Sequence, residues 1–116
     1  NLVVNAIEHA DGTRVTITVA TSATDVACRV RDRGVGMTQE VADHVFDRFY
    51  RADTARARTT GGTGLGLAIA TEDVAIHGGR LQAYGEPGKG ASFLMTLPKH
   101  AGDEIASWPL ALWEDE

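Results

Sequence analysis

Clusters of glycine, placed between segments with a regular apolar pattern, are the feature that most restricts how this 116-residue chain can fold. Most of its 13 glycines fall into three groups, at 34–36, 61–66 and 78–90. Glycine adopts backbone conformations that are closed to other residues, and it lets another group approach the backbone closely. We therefore expect the functional loops of the molecule at these glycines.

The segments between the glycine groups follow helical or strand patterns. Helices are predicted where apolar residues recur at helical spacing, at 1–10, 38–45 and 65–76. Strands are predicted where apolar residues alternate, at 13–20, 25–31, 80–84 and 91–97. A short turn should pair the first two strands antiparallel, and a glycine-rich loop at 85–90 should join the last two as a hairpin. Together these elements predict an α+β fold, a two-layer α/β sandwich with helices on one face of a mostly antiparallel mixed sheet.

Size, charge and cysteine content exclude several classes of protein. A chain of this length forms one domain, predicted at 1–98 and followed by an acidic tail at 99–116. The sequence leaves open whether this tail docks on the domain. The net charge of −5 argues against binding to nucleic acid, and Cys28 alone cannot form an internal disulfide. No apolar run approaches the ~20 residues of a membrane span. Because Asn1 lies within a patterned segment, we expect the sequence to be a fragment cut near the start of a helix.

Two sets of polar residues could bind a ligand directly. Asn1 and Asn5 fall on one face of the first predicted helix, and amide oxygens suit Mg²⁺, although a polar face turned to solvent explains them equally. Asp32 precedes Gly34 and Gly36 at the end of a strand. A carboxylate there can accept a hydrogen bond from the 6-amino group of adenine and would repel the 6-oxo group of guanine. The alternative for Asp32 is an ordinary turn.

Two further segments suit an anionic ligand. Gly62, Gly64 and Gly66 open a helix, where free backbone N–H groups bind phosphate, although the same glycines could simply cap the helix. Their spacing matches neither a P-loop nor a dinucleotide-binding fingerprint. The segment 46–60 is predicted to be a mobile loop, and its arginines indicate either an anionic partner or a solvated surface. These arginines are Arg48, Arg51, Arg56 and Arg58.

In this order, the segments resemble the catalytic ATP-binding domain of sensor histidine kinases, in the group that also holds gyrase B, the Hsp90 chaperones and MutL. The resemblance covers residues 1 to about 98 and implies a Bergerat-type ATP-binding fold. Five motifs carry it, namely an N box at 1–6, a first glycine box at 32–36, an F box at 46–51, a second glycine box at 62–69 and a closing segment at 77–98.

The resemblance implies an ATP site that uses Mg²⁺. In that site Asn5 would hold Mg²⁺ with help from Asn1. Asp32 would accept from the adenine amino group, in a pocket shaped by Gly34 and Gly36.

The resemblance also implies a lid over the phosphates of ATP. Phe46 and Phe49 would anchor this lid, and Arg48 or Arg51 would reach the phosphates. The residues that wrap the triphosphate would be Gly62, Thr63, Gly64, Leu65 and Gly66.

The function implied is that of the catalytic module of a two-component sensor histidine kinase. The γ-phosphate of ATP would pass to a histidine on a separate dimerisation domain, and from there to a response regulator. The resemblance further implies that this domain is cytoplasmic and that the full-length protein is anchored at the inner membrane. Two alternatives share the fold: an anti-sigma-type serine kinase regulator and a degenerate nucleotide-sensing domain.

The predicted lid should become ordered when ATP binds. Its segment 50–61 lacks an apolar period that would bury it, whereas bound phosphates would give its arginines partners. Replacing Arg48 and Arg51 by Ala should weaken ATP binding more than ADP binding, because the γ-phosphate carries additional charge. Calorimetric titration measures both affinities, and equal losses would contradict the lid assignment. Amide hydrogen exchange across 46–66 should fall on adding Mg-ATP, and unchanged exchange would also contradict it.

Overall fold

A computed structural model of the chain describes residue 12 and the segments 14–47 and 66–113. Within these residues the elements follow the predicted order, whereas the helix predicted at 1–10 lies outside them. The elements in chain order are β1 (Val15–Thr21), β2 (Asp25–Asp32), α1 (Gln39–His44), α2 (Gly66–Ile76), β3 (Arg80–Glu86) and β4 (Gly90–Pro98).

The four strands form one sheet in the order β1-β2-β4-β3, and every neighbouring pair is antiparallel. This arrangement confirms the predicted α+β class, and it confirms the antiparallel pairing of β1 with β2 and of β3 with β4. Residues directly opposite each other in an antiparallel pair share a face of the sheet. One such row runs across all four strands through Ile17, Val30, Phe93 and Ala83.

The hydrophobic core lies on this face, between the central strands and the helices. Phe93 is 1% exposed and packs with Met37, Ala42 and Ala91, and partly buried side chains surround this cluster. Both described helices contact β3, which forms one edge of the sheet. At the opposite edge Ile17 is 51% exposed, because α1 and α2 pack towards β3.

The predicted helix boundaries correspond to specific caps. Thr38 is the N-cap of α1, as predicted, and its hydroxyl accepts a hydrogen bond from the Val41 amide at 3.3 Å. The predicted cap after α2 is also present. Gly78 has a φ of +76° there, and the Gly79 amide donates to the Val74 carbonyl at 2.9 Å.

The β3–β4 turn is shorter than the predicted loop at 85–90. Glu86 pairs with Gly90, and the Lys89 amide donates to the Glu86 carbonyl at 2.9 Å, so the turn comprises only residues 87–89. Gly85 belongs to β3, where a Cβ would lie 2.6 Å from Cγ of Met37. This glycine therefore permits close packing against the core, whereas the sequence pattern was typical of a turn.

The tail after β4 docks on the opposite face of the sheet, which settles the question that the sequence left open. It forms no helix or strand as far as residue 113. Instead, side chains of the sheet bind its backbone. Arg29 Nη1 donates to the Ala111 carbonyl at 2.7 Å, and Ser92 Oγ donates to the Leu112 carbonyl at 2.6 Å.

The start of β2 anchors the tail through a buried carboxylate. Oδ2 of Asp25 accepts from the Thr24 hydroxyl at 2.6 Å and from the amides of Ala106 and Ser107 at 3.1 and 2.8 Å. The Thr24 hydrogen bond lowers the pKa of Asp25 most, burial raises it, and the tail amides lower it further. The net result is a pKa below the ordinary value of 3.8, so the folded chain favours the ionised carboxylate.

Acid should therefore destabilise the chain in part through Asp25. Because the pKa is lower in the folded state, the ionised carboxylate stabilises the fold above pH 3.8, and this contribution is lost as the pH falls through the native pKa. Asp25→Asn cannot ionise, so it should be less stable than the unsubstituted chain at roughly pH 6, and the difference should shrink at roughly pH 3. Urea denaturation at several pH values measures this, with Asp73→Asn, on an exposed position of α2, as control. A difference that is independent of pH would contradict the assignment.

Candidate functional site

The candidate site is built around the carboxylate of Asp32, the last residue of β2. Asp32 is 1% exposed, and its Oδ1 accepts a hydrogen bond from the amide of Gly34 at 3.0 Å and another from the amide of Ala91 at 3.2 Å. One oxygen of this side chain therefore connects the end of β2, the following loop and the start of β4. The position of the carboxylate is fixed by one backbone amide of the loop and one of β4.

The second oxygen of Asp32 is the chemically available one. Oδ2 is buried and has no hydrogen-bond partner among the described residues. Buried polar atoms are nearly always hydrogen-bonded, and an unpaired one at a functional site calls for a ligand. An acceptor held in this way suits an amino group, and the exocyclic amino group of adenine is the partner that the resemblance implies.

The loop after Asp32 packs directly on the backbone of the β3–β4 hairpin. Gly36 has a φ of +76°, and a Cβ at this position would collide with the Glu86 carbonyl. The Gly88 amide donates to the Val35 carbonyl at 2.9 Å, which fastens the loop to the turn. Gly36 is thus placed beside the carboxylate by the hairpin, and no larger residue could take its place without moving the hairpin.

Residues of the hairpin belong to the site, although no role in binding was predicted for them. Gly90 has a φ of +105°, and a Cβ there would collide with the Asp32 carbonyl. Ala91 contributes its amide to Oδ1 of Asp32. The sequence signal available for this role was the pair Gly88 and Gly90, which was assigned only to the closing segment at 77–98. A backbone amide leaves no signature of its own in a sequence, so the role of Ala91 could not be found from residue types.

Phe46, a predicted lid anchor, is packed on the core. Its ring lies 6.1 Å from the ring of Phe93, with an interplanar angle of 74°, which is the edge-to-face arrangement favoured by aromatic pairs. The packed part of the chain therefore extends to Phe46, the first residue of the segment predicted as a mobile loop. Its role as a lid anchor remains a prediction.

The other predicted site residues fall largely outside the described part of the chain. Gly66 is the first residue of α2. Among the residues that the structure describes, no group of three or more His, Cys, Asp or Glu could hold a metal ion, and no helix could span a membrane. The site residues outside the description are Asn1, Asn5, Arg48, Phe49, Arg51, Gly62, Thr63, Gly64 and Leu65.

Comparison with protein families gives a match over most of the chain. Residues 1–101 match the family described as histidine kinase-, DNA gyrase B- and HSP90-like ATPase. The chain is 49% identical to the sensor histidine kinase MtrB of Mycobacterium tuberculosis over 112 residues, which are 97% of this chain and 20% of the relative. It is 41% identical to the sensor-like histidine kinase SenX3 of Mycolicibacterium smegmatis over 92% of its length and 28% of the relative. The chain thus spans about a fifth to a quarter of these relatives.

Solved structures give the same result for the fold. Full-length ShkA, solved in complex with AMPPNP, superposes with a TM-score of 0.71 at 28% identity, covering 87% of this chain and 21% of that one. The mycobacterial sensor histidine kinase MprB superposes with a TM-score of 0.67 at 29% identity, covering 81% and 62%. The similarity therefore includes both the sequence and the three-dimensional arrangement of the sheet and helices.

Removing the charge of Asp32 should weaken adenosine binding. In Asp32→Asn the amide oxygen must stay with the amides of Gly34 and Ala91, which turns the NH₂ group towards the position of Oδ2. A donor would then face the adenine amino group. A hydrogen bond to a charged group contributes about 1.5–3 kcal/mol, so the affinity should fall roughly tenfold to a hundredfold. Calorimetric titration with adenosine measures this, and the exposed Asp73→Asn serves as control. Unchanged affinity in a folded Asp32→Asn chain would exclude the assignment.

Proposed function

The chain belongs to the histidine kinase-, DNA gyrase B- and HSP90-like ATPase family, and we propose that it acts as the ATP-binding catalytic module of a two-component sensor histidine kinase. The observation that carries the proposal is the buried carboxylate of Asp32, with one oxygen held by backbone amides and the other without a partner in the described chain. This is a site for a hydrogen-bond donor, as the adenine ring supplies.

Selectivity for adenine follows from the charge of this acceptor. The 6-amino group of adenine donates to an ionised carboxylate, whereas the 6-oxo group of guanine is itself an acceptor and would be repelled. Asp32 lies where β2 meets the hairpin, so the base would bind at that end of the sheet. Gly34 and Gly36 shape this pocket, and the collision that a Cβ at Gly36 would cause supports its part in it.

The phosphates would extend towards the start of α2. This helix begins at Gly66 and has no acidic residue in its first turn, so nothing on it opposes an anion at its N-terminus. Gly62 and Gly64, which precede it in the sequence, would allow the backbone to approach the phosphates. Arg48 or Arg51 would supply positive charge from the predicted lid.

Mg²⁺ would be held by Asn5, with Asn1 assisting. Both residues lie outside the described segments, and the proposal rests on their chemistry and on the resemblance. Amide oxygens are suitable ligands for a hard cation that takes its remaining ligands from phosphates and water. The bound ion supplies neutralisation of the phosphate charge, while the residues of the chain orient the nucleotide.

Transfer of the γ-phosphate would require a second domain. The nucleophile is a histidine on a dimerisation domain, and a response regulator receives the phosphoryl group afterwards. The similarity to the sensor histidine kinases MtrB and SenX3 supports this function over that of an anti-sigma-type regulator, because only the shared fold supports the regulator. The cytoplasmic position of the domain and the anchoring of the full-length protein at the inner membrane belong to the same proposal.

Asn5→Ala should separate metal binding from base binding. The substitution removes an oxygen ligand of Mg²⁺, so the affinity for Mg-ATP should fall to the value measured for ATP in the presence of EDTA. Adenosine binding should not change, because the base site at Asp32 is retained. Calorimetric titration provides both values, with Gln39→Ala, on an exposed position of α1, as control. Equal losses for adenosine and Mg-ATP would assign Asn5 a structural role, and an unsubstituted chain that does not bind Mg-ATP would refute the proposed function.

A further inference from the structure

The docked tail contacts a residue adjacent to the candidate site. Arg31 precedes Asp32 in β2, points to the face that the tail covers, and is 7% exposed. The guanidinium carbon of Arg31 lies 3.6 Å from the ring centroid of Trp113. Trp113 also packs edge-to-face on Tyr84 of β3, with 5.0 Å between the ring centroids. Attraction between a guanidinium group and an aromatic ring is stronger when the groups are removed from water, and here Arg31 is buried while Trp113 is partly buried.

Arg31 and its neighbours form a row of side chains below the tail. In the sheet, Arg31 on β2 lies opposite Ser92 on β4, which in turn lies opposite Tyr84 on β3. The tail crosses this row, and Ser92 donates to the Leu112 carbonyl at 2.6 Å. Strands β2, β4 and β3 therefore each contribute a side chain that holds the end of the tail.

The same arginine binds backbone groups of the candidate site. Nε of Arg31 donates to the Asp32 carbonyl at 3.3 Å, and Nη2 donates to the Lys89 carbonyl at 3.5 Å. These two carbonyls flank the place where Gly90 packs on Asp32. Arg31 is thus in contact with the tail, with the end of β2 and with the β3–β4 turn.

We propose that the tail segment 105–113, here called the strap, supports the nucleotide site through its last residue, with Trp113 and Arg31 acting as positioning residues for Asp32. The inference rests on the proposed function as far as nucleotide affinity is concerned. With Trp113 in place, the Arg31 guanidinium has one preferred orientation, and its hydrogen bonds hold the end of β2 against the hairpin. Without the indole ring, the guanidinium loses this packing contact, and its hydrogen bonds to both carbonyls should weaken.

The strap has a second anchor that lies far from the site. Its residues Ala106 and Ser107 bind Asp25, at the opposite end of β2 from Asp32. Along a strand of this length the two ends are separated by roughly 20 Å. Loss of the Asp25 anchor should therefore affect the docking of the strap, and loss of Trp113 should affect the docking and the site.

The test compares substitutions at the two anchors. Trp113→Ala removes the ring near the site, and Ser107→Ala removes the hydroxyl that donates to Asp25 at 3.1 Å. Trp108→Ala is a control of matched residue type, because Trp108 lies on the same strap and is 52% exposed. Trp113→Phe tests rescue. The indole N–H has no hydrogen-bond partner in the described chain, so a phenyl ring retains the aromatic contact without losing a bond.

Two measurements are made on the full chain. Calorimetric titration with adenosine should show a loss of about three- to tenfold for Trp113→Ala, and unchanged affinity for Trp108→Ala and Ser107→Ala. Trp113→Phe should recover most of the loss. NMR-detected hydrogen exchange without nucleotide should be faster in Trp113→Ala at the amides of Gly34 and Ala91, which both donate to Asp32.

The outcomes distinguish a failure of the strap inference from a failure of the proposed function. If the unsubstituted chain does not bind adenosine, the proposed function is wrong, and exchange at the amides of Gly34 and Ala91 still decides whether the strap positions Asp32. Unchanged exchange at these amides in Trp113→Ala would overturn the inference. An adenosine affinity that falls only in proportion to the stability measured by urea denaturation, in both Trp113→Ala and Ser107→Ala, would also overturn it, because the strap would then be a structural cover alone.

Discussion

The hydrogen bonds of the Asp32 carboxylate hold together three parts of the chain at one end of the sheet. Oδ1 joins β2, the loop at Gly34 and the start of β4 at Ala91. Leaving Oδ2 buried without a partner in the described chain costs on the order of 1–3 kcal/mol, which a bound donor would restore. Under the proposed function, a bound donor would recover this cost as affinity, and the rest of the fold must be stable enough to hold a carboxylate with one unsatisfied oxygen in place.

Glycine makes this junction possible, because backbone atoms and not side chains fill the space around the junction. The loop reaches the hairpin at Gly36, and the hairpin reaches the Asp32 carbonyl at Gly90. Side chains at either position would separate the strands and move the amides away from the carboxylate. The core below supports the same junction, since Met37 follows the loop directly and packs with Phe93 and Ala91. Packing and electrostatics at the site thus depend on the same few residues.

Local patterns were sufficient to predict the secondary structure of the described residues and the position of Asp32. The periods of the strands, the Thr38 cap and the glycines after α2 each have a local cause, and the structure confirms them. Gly85 was misassigned to a turn, because a glycine required by packing against Met37 looks the same in a sequence as a glycine required by a turn. The docking of the tail could not be predicted. It depends on backbone amides and carbonyls of the tail, on the Asp25 carboxylate and on a single indole, and none of these gives a periodic pattern.

The tail and β2 are far apart in the sequence, and this separation has a consequence for synthesis on the ribosome. The hydrogen bonds between Asp25 and Ser107 join residues 82 positions apart, and that between Arg29 and Ala111 also spans 82. At roughly 5–20 residues per second, the strands β1 and β2 exist for about 4–16 seconds before the residues that cover them have been made. During this interval one face of the nascent sheet carries uncovered Asp25, Arg29 and Arg31. Because these side chains are charged, we expect that face to stay hydrated while the chain grows and to associate less readily with other nascent chains than an apolar face would.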